Sequence, residues 1–394
     1  MVIDVVIIGA GAAGLMCAAT AGARGRRVVV VDHAPGPGRK VLAAGGGRCN
    51  FTNRTVTREH YFSRNPAFAI SALRRFDQGD FLEMVERYGI EVEERELGRL
   101  FCAGSSREIL DMLLAECTGA GVTMKLGTRI AEVRRRPGAA GGFRVDTGDG
   151  RLEARSLVIA TGGLSLPDLG ATPFGHDLAR RFGLDIIEPR PGLVPLTLHP
   201  ADLRVVETLS GIALRAEVST GNHVFCENLL FTHRGLSGPV ILQASNSWKP
   251  GQPITINLFP DGDLSALLSD ARHRRPKAAL STALAPSLTR RVSQTLVQLW
   301  GLDGRMGSFN NPALEEIAGR FTRWRLVPSG TEGYRKAEVT LGGIDTAGLS
   351  SRTMEAREVP GLYAVGEVID VTGQLGGYNL QWAWSSGVCA GLFV

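Results

Sequence analysis

The stretch Val2-Ile3-Asp4-Val5-Val6-Ile7-Ile8-Gly9-Ala10-Gly11-Ala12-Ala13-Gly14, followed by Val28-Val29-Val30-Val31-Asp32, decides the fold. An apolar strand runs into Gly-x-Gly-x-x-Gly, a helix of small residues follows, and a second apolar strand ends in an acid. This is the full context of a dinucleotide fingerprint, not the glycine pattern alone. Gly9 permits the tight turn, Gly11 lets the main chain approach a pyrophosphate, and Gly14 lets the helix lie close on the strand. The helix N-terminus offers N–H groups without intrahelical acceptors and the positive end of a dipole. Asp32 is placed to accept the hydroxyls of an adenosine ribose and to repel a 2′-phosphate. A glycine-rich turn in an ordinary α/β protein would not require an acid at the end of the second strand.

The chain has 394 residues, which predicts two or three domains. Hydrophobic residues make up 44% and there are 50 glycines, a composition suited to a well-buried α/β enzyme with many tight turns. No apolar run reaches the roughly 18 residues needed to span a bilayer. Asp4 interrupts the apolar start, so no secretion signal is expected. The expectation is a cytoplasmic protein without membrane attachment. Six cysteines (Cys17, Cys49, Cys102, Cys117, Cys226, Cys389) show neither Cys-x-x-Cys nor zinc-ligand spacing, so no metal is expected and reduced thiols are. A disulfide-reductase mechanism lacks the close local pair it needs. A formal charge of +5 and an isoelectric point near 9.0 permit an anionic partner without demanding one.

Residues 36–53 read as a glycine-rich loop. Residues 66–120 read as helical, with Phe81, Met84 and Val85, then Ile109, Met112 and Leu113, at helical spacing. Residues 122–155 read as a β-meander broken by Pro/Gly turns. Leu157-Val158-Ile159-Ala160 is a buried strand closed by Thr161-Gly162-Gly163. Short strands begin near Leu193, helices dominate 263–325, and strands return from Ala337 to Glu367 before a final helix of small residues. The simplest architecture is α/β: a nucleotide-binding domain interrupted by a large insertion at about 191–335, with the C-terminal segment returning to complete it.

Three further glycine turns, at 45–47, 161–163 and 366–377, lie far apart in the chain, and two directly follow buried strands. Ligands of open α/β sheets bind at the carboxyl ends of strands. Several glycine turns converging there suit a long, extended cofactor, and FAD fits better than a nicotinamide nucleotide. Glu367 is then placed to hydrogen-bond a ribityl hydroxyl. The helix after Gly377 aims its N-terminus at the flavin N1–C2=O edge, favouring the reduced ring by about 0.3–1 kcal/mol. Trp382 and Trp384 read as core packing.

Several of these loops resemble those of the YhiN/BaiN-like flavoproteins, most closely the YhiN branch. The segments are Gly38-Arg39-Lys40-Val41-Leu42, Gly45 through Asn53, Ala160 through Ser165, Phe231-Thr232-His233-Arg234-Gly235-Leu236-Ser237-Gly238-Pro239, Ala337 through Gly343, Gly361 through Glu367 and Gly376 through Trp382. Gly170 through Gly175 and Gly330 through Arg335 point to the YhiN branch. The likeness spans nearly the whole chain and is weak only over 263–320. It implies a Rossmann-like FAD-binding domain of the glutathione-reductase type over 1–190 and 336–394, with a β-barrel-like insertion at 191–262 and a helical one at 263–335. It also implies bound FAD, an NAD(P)H-linked oxidoreductase, and reduction of carbon–carbon double bonds in ring substrates. For the YhiN branch the implied substrate is a uridine of large-subunit ribosomal RNA, reduced to dihydrouridine. Amine oxidation belongs to another branch. The positions expected to contact FAD are Gly9, Gly11, Ala13, Gly14, Asp32, Arg39, Lys40, Gly45, Gly46, Gly47, Arg48, Asn50, Ile130, Thr161, Gly162, Gly163, Gly366, Glu367, Gly376, Gly377, Asn379 and Leu380.

Reduction of an activated double bond needs a hydride from flavin and a proton from a nearby acid. Cys49, His233 and Tyr378 are the candidate acids. Each has a plainer role open to it: a packed thiol, a structural histidine, a ring against the cofactor. There is no second strand–Gly-x-Gly-x-x-Gly–helix unit, so NAD(P)H would dock transiently over the flavin. Basic clusters at Arg134-Arg135-Arg136, Arg272-His273-Arg274-Arg275-Pro276-Lys277 and Arg290-Arg291 offer phosphate contacts to RNA, or simply solvated charge. A small-molecule flavoenzyme (an amine oxidase or polycyclic enone reductase) and a non-catalytic flavin protein bound to the ribosome are the competing readings.

Overall fold

The computed structural model describes residues 3–136 and 141–394; Val2 and most of the turn expected after Arg136 lie outside them. The chain divides into two units, Met1–Pro191 with Glu338–Val394, and Gly192–Ala337.

The first unit begins with β1 (Ile3–Ile8), α1 (Ala12–Ala23) and β2 (Val28–Val31). It continues through a short helix α2 (Arg39–Ala43), β3 (Asn50–Asn53), α3 (Ser106–Gly119), β4 (Thr123–Lys125), β5 (Ile130–Arg135), β6 (Phe143–Thr147) and the long β7 (Gly150–Ile159). After the insertion come β8 (Val339–Ile344), β9 (Leu362–Ala364) and the closing helix α4 (Tyr378–Gly391). The main sheet runs β4-β2-β1-β7-β6-β5, with β9 also on β7. Strands β4, β2, β1, β7 and β9 are parallel. β6 pairs antiparallel with the first half of β7, and β5 with β6. All four valines of β2 are buried, as a parallel strand covered on both faces requires. The register is what matters for function. Ile8 pairs with Val31 and with Ile159, and Ile159 pairs with Ala364. Four strands therefore end level, and the next residues, Gly9, Asp32, Ala160 and Val365, share one edge.

Residues 66–120 depart from the helical expectation. Helices Ile70–Arg75 and Gln78–Arg87 form, and so does α3, but 92–102 fold as a hairpin. Its strands Val92–Arg95 and Arg99–Cys102 build a three-stranded sheet with β3. The turn holds Leu97 and Gly98 at φ +61° and +67°. Arg95 pairs with Glu93 of its own strand (2.9 Å) and reaches across to lie over the Phe101 ring of the other (4.2 Å). Charged residues on a solvent-facing hairpin masked the strand signal. The loop at 36–53 likewise contains α2 and β3.

The second unit is a seven-stranded antiparallel sheet. Its order is Trp324–Leu326, Ile254–Asn257, Ala213–Thr220, His223–Thr232, Gly235–Ser237, Leu196–Leu198, Pro328–Thr331. The two edge strands flank Val327 in one extended run, so the run bonds both edges and closes the sheet into a barrel. Helices Leu264–Arg274, Leu280–Leu288, Arg290–Leu299 and Asn311–Thr322 share one apolar core with it. Trp300 sits between the ring of Phe321 (4.7 Å) on a helix and that of Trp324 (5.7 Å) on a strand. Among the described residues no helix is long and apolar enough to cross a membrane.

Candidate active site

The level strand ends assemble the first unit's glycine-rich edge. At the β1–α1 turn, Gly9 adopts φ +113°, and a Cβ there would collide with the Ala160 carbonyl oxygen. A Cβ at Gly14 would collide with the Gly9 carbonyl oxygen, so α1 can approach the turn this closely only with glycine. Gly11 is the reverse case: nothing lies within 4 Å of where its Cβ would be. Gly11 caps α1 with no side-chain hydrogen bond, so the first-turn N–H groups face that open space without an intrahelical acceptor.

Asp32 follows β2. Its Oδ2 accepts from Ala10 N (2.7 Å) and its Oδ1 from Ala34 N (2.8 Å), which fixes the carboxylate beside the fingerprint loop. Asp32 O accepts from Thr128 N, and Gly127 N donates to Ala34 O. This turn places Ile130, the first residue of β5, just beyond it.

The Ala160–Gly163 and Val365–Glu367 turns continue the edge. A Cβ at Gly366 would lie 2.8 Å from the Ala13 Cβ, so this turn packs on the first turn of α1. Gly366 N donates to Ser386 Oγ (3.0 Å), and its carbonyl accepts from Trp382 Nε1 (3.1 Å). Trp384 Nε1 donates to Phe51 O (2.9 Å) while its ring stacks on Phe81 at 4.7 Å. Both tryptophans are buried core residues; Trp382 ties α4 to the edge and Trp384 ties it to β3.

Glu367 is not a free acceptor. It receives Lys40 Nζ (2.9 Å), Ser165 Oγ (2.9 Å) and Thr340 N (2.8 Å). Burial by itself pushes this carboxyl up, but the Lys40 charge and the three donors outweigh it and hold it below its ordinary 4.5. Lys40 also donates to Ser165 Oγ (2.9 Å). Thr340 Oγ1 accepts from Leu164 N and Ser165 N, fixing the turn after Gly163. Sequence reasoning missed Ser165 and Thr340 as partners, because their role exists only where four distant segments meet.

The remaining expected residues divide. Arg39 donates to Asp168 O (3.3 Å), and Arg48 pairs with Glu93 (2.9 Å). Both cations therefore have partners in the chain. Gly45, Gly46 and Gly47 all have positive φ in a short 3₁₀ turn after α2. Asn50 lies at the start of β3. Its amide, with nitrogen toward Thr52 O and Leu100 O, accepts from Gly377 N (3.1 Å). Asn379 bonds Gly373 through both its amide atoms, so its side chain shapes the 373–374 turn. α4 starts at Tyr378, immediately after Gly376 and Gly377, with no side chain capping it and with Leu380 in its first turn.

Of the three candidate acids, Cys49 and Tyr378 belong to the first unit and His233 to the second. Cys49 is fully buried. Burial, with the Cys102 thiol adding to it, pushes its thiol well up. A sealed, hard-to-ionise thiol suits packing. His233 is exposed at a turn of the second unit. Tyr378 is buried at the α4 N-terminus, its phenol raised by burial and lowered less by Arg99. Its ring stacks on His60 at 4.3 Å, and its carbonyl accepts from Tyr61 Oη (3.0 Å). His60 was not singled out in sequence. Its Nδ1 accepts from Thr57 N (3.1 Å), which leaves the proton on Nε2, and burial lowers its pKa. The one available signal was Thr57-x-x-His60, a capping-box spacing.

Comparisons with known proteins agree with this geometry. A family model described as the HI0933-like protein Rossmann domain matches residues 3–393. The ribosomal RNA dihydrouridine synthase of Escherichia coli (strain K12) is 50% identical over 385 residues, covering 97% of this chain and 96% of the relative. The ribosomal RNA dihydrouridine synthase of Haemophilus influenzae (strain ATCC 51907 / DSM 11121 / KW20 / Rd) is 43% identical, covering 99% and 98%. The 3-dehydro-bile acid delta(4,6)-reductase of Clostridium scindens is 29% identical, covering 98% and 97%. With the fingerprint edge built and the match running from end to end, the chain belongs to the HI0933-like family of Rossmann-domain flavoprotein oxidoreductases.

Proposed function

We propose that this chain holds FAD along the level ends of β1, β2, β7 and β9 and reduces a carbon–carbon double bond. In this reading the substrate is a uridine of large-subunit ribosomal RNA and the product is dihydrouridine. The carrying observation is the shared register of Ile8, Val31, Ile159 and Ala364, which lines up four turns able to present bare main chain to one extended nucleotide. The fit is supported by the open space at Gly11 and the uncapped start of α1. A pyrophosphate there would meet N–H groups and the positive helix end. Asp32, already immobilised by two N–H donors, presents its remaining lone pairs to ribose hydroxyls.

Bound FAD supplies the hydride. The protein's share is to position and to protonate. Lys40, Ser165 and Thr340 hold Glu367 and thereby fix the return segment. α4 presents its uncapped N-terminus at Gly377. Tyr378 holds its phenolic proton at neutral pH, being raised by burial, and in this reading stands as the acid adjoining the edge. NAD(P)H serves as a transient electron donor, since the sequence contains one fingerprint unit. The names of the two relatives at 50% and 43% identity support the RNA substrate. The bile-acid reductase at 29% supports a second reading, reduction of a polycyclic enone.

The test is nuclease digestion and mass spectrometry of large-subunit rRNA from cells with and without the gene. The expected result is loss of one dihydrouridine on deletion and its return with the wild-type gene. An unchanged dihydrouridine content ends the RNA reading, and turnover of a steroid-like enone by the purified protein would then select the second.

A further inference from the structure

The net charge of this chain is unevenly placed. Residues 192–337 hold 16 Lys and Arg against 11 Asp and Glu, while the rest of the chain holds 28 of each. The whole formal +5 therefore belongs to the second unit. Within it, the structure separates cations with local duties from cations without them. Arg272, His273 and Arg274 occupy the last turn of helix Leu264–Arg274, where positive charge complements the dipole. Arg272 donates to Phe309 O (3.3 Å), His273 Nδ1 meets Ser269 O (2.7 Å) and Arg274 pairs with Asp270 (2.7 Å). Arg291 donates to Thr208 O.

Arg275 and Lys277 lie just beyond that helix. Arg305, distant in sequence, joins them. Gly307 N donates to Pro276 O and Met306 N to Ala278 O (2.8 Å each), and Arg305 bridges Ala279. The two segments run side by side. Arg275, Lys277 and Arg305 are exposed, and among the described residues none has a carboxylate within ion-pair distance. No aromatic or large apolar side chain is exposed between 272 and 279 or between 303 and 308. A membrane surface would call for such an anchor; a phosphate backbone calls for cations alone.

We infer that the paired segments Arg275–Ala279 and Arg305–Gly307 form an RNA-phosphate contact surface, with Arg275, Lys277 and Arg305 as its cations. This rests on the RNA reading above. It moves the contact away from Arg272 and Arg274, which the sequence run alone would nominate.

The experiment compares three full-length proteins: wild type, Arg275→Gln/Lys277→Gln/Arg305→Gln, and Arg58→Gln/Arg134→Gln/Arg151→Gln. The last removes equal charge from the first unit. The probe is a fluorescein-labelled fragment of large-subunit rRNA, titrated at several salt concentrations, with vesicles of phosphatidylglycerol and phosphatidylcholine alongside. Flavin absorbance and thermal unfolding verify that all three fold. The second-unit variant is expected to bind RNA about tenfold or more weakly at about 0.1 M salt, with a log–log salt slope shallower by roughly 2. The first-unit variant is expected to stay within about twofold of wild type. Equal RNA affinity and slope in the two variants overturns the surface. So does a second-unit variant that loses vesicle binding but keeps RNA binding. Wild-type binding of the fragment without dihydrouridine formation sinks the reaction and leaves the surface. Dihydrouridine formation by the second-unit variant with unchanged KM for RNA sinks the surface and leaves the reaction.

Discussion

Two glycines of one motif make opposite demands. At Gly14 the obstacle is the protein itself, because a Cβ meets the Gly9 carbonyl. Gly14→Ala must therefore move main chain, and overpacking of this kind costs about 1–3 kcal/mol. At Gly11 the space is open. Gly11→Trp is expected to fold with near wild-type thermal stability yet to purify colourless, while Gly14→Ala loses both stability and yellow colour. Absorbance near the flavin bands and thermal unfolding, read together, distinguish the two. A folded, yellow Gly11→Trp protein would remove the pyrophosphate from this loop. The sequence already assigned Gly11 to ligand approach and Gly14 to close helix packing; the structure adds what each one meets, open space at Gly11 and the Gly9 carbonyl at Gly14.

At the scale of elements, the Lys40–Glu367 pair joins α2, the turn after β7, the start of β8 and the turn after β9. Lys40 is 31% and Glu367 19% exposed at the side chain. Removing the cation with Lys40→Met is thus expected to cost about 1–3 kcal/mol at neutral pH, below the figure for a fully buried pair. The pH dependence has a definite sign. Glu367 sits below its unfolded value of 4.5. The stabilisation is complete above about pH 4.5 and fades as pH falls through the lowered folded value. The stability gap between wild type and Lys40→Met should be wide at about pH 7 and should shrink progressively as pH is lowered below about 4.5. A gap that does not change with pH across the acid range would show that charge is not what Lys40 contributes. Periodicity revealed β1, β2, β7 and most helices, because these strands carry long apolar runs; it read β4 as part of a meander, whereas β4 pairs parallel with β2. It missed the hairpin at 92–102, where Glu93 and Glu94 are held by Arg48 and Arg54 of another segment and hydrophobic alternation is faint.

For the whole molecule, the insertion has the properties of an independent unit. Its core is separate from that of the first unit. Its entry and exit lie side by side, since Leu196 pairs with Thr331 and Glu332 N donates to Pro195 O (3.0 Å). Expressed alone, residues 192–337 are expected to unfold cooperatively, to be colourless and to keep the basic character of the full chain. Calorimetry and near-UV circular dichroism check this; a fragment without a cooperative transition would show that the barrel depends on the first unit. The aromatic contacts of Trp300 explain why helices and barrel share one core, where the family resemblance implied two inserted pieces.

The sequence by itself determined the dinucleotide fingerprint, the strands around it, the return of the C-terminal segment and the family. Local chemistry suffices for these, because glycine spacing and unbroken apolar runs act within a few turns of chain. Only the tertiary structure decided which strand ends fall level, that Glu367 is held by Lys40, Ser165 and Thr340, and which arginines remain unpaired. Those depend on register and on contacts between segments up to 327 residues apart, and a short-range pattern carries no record of them.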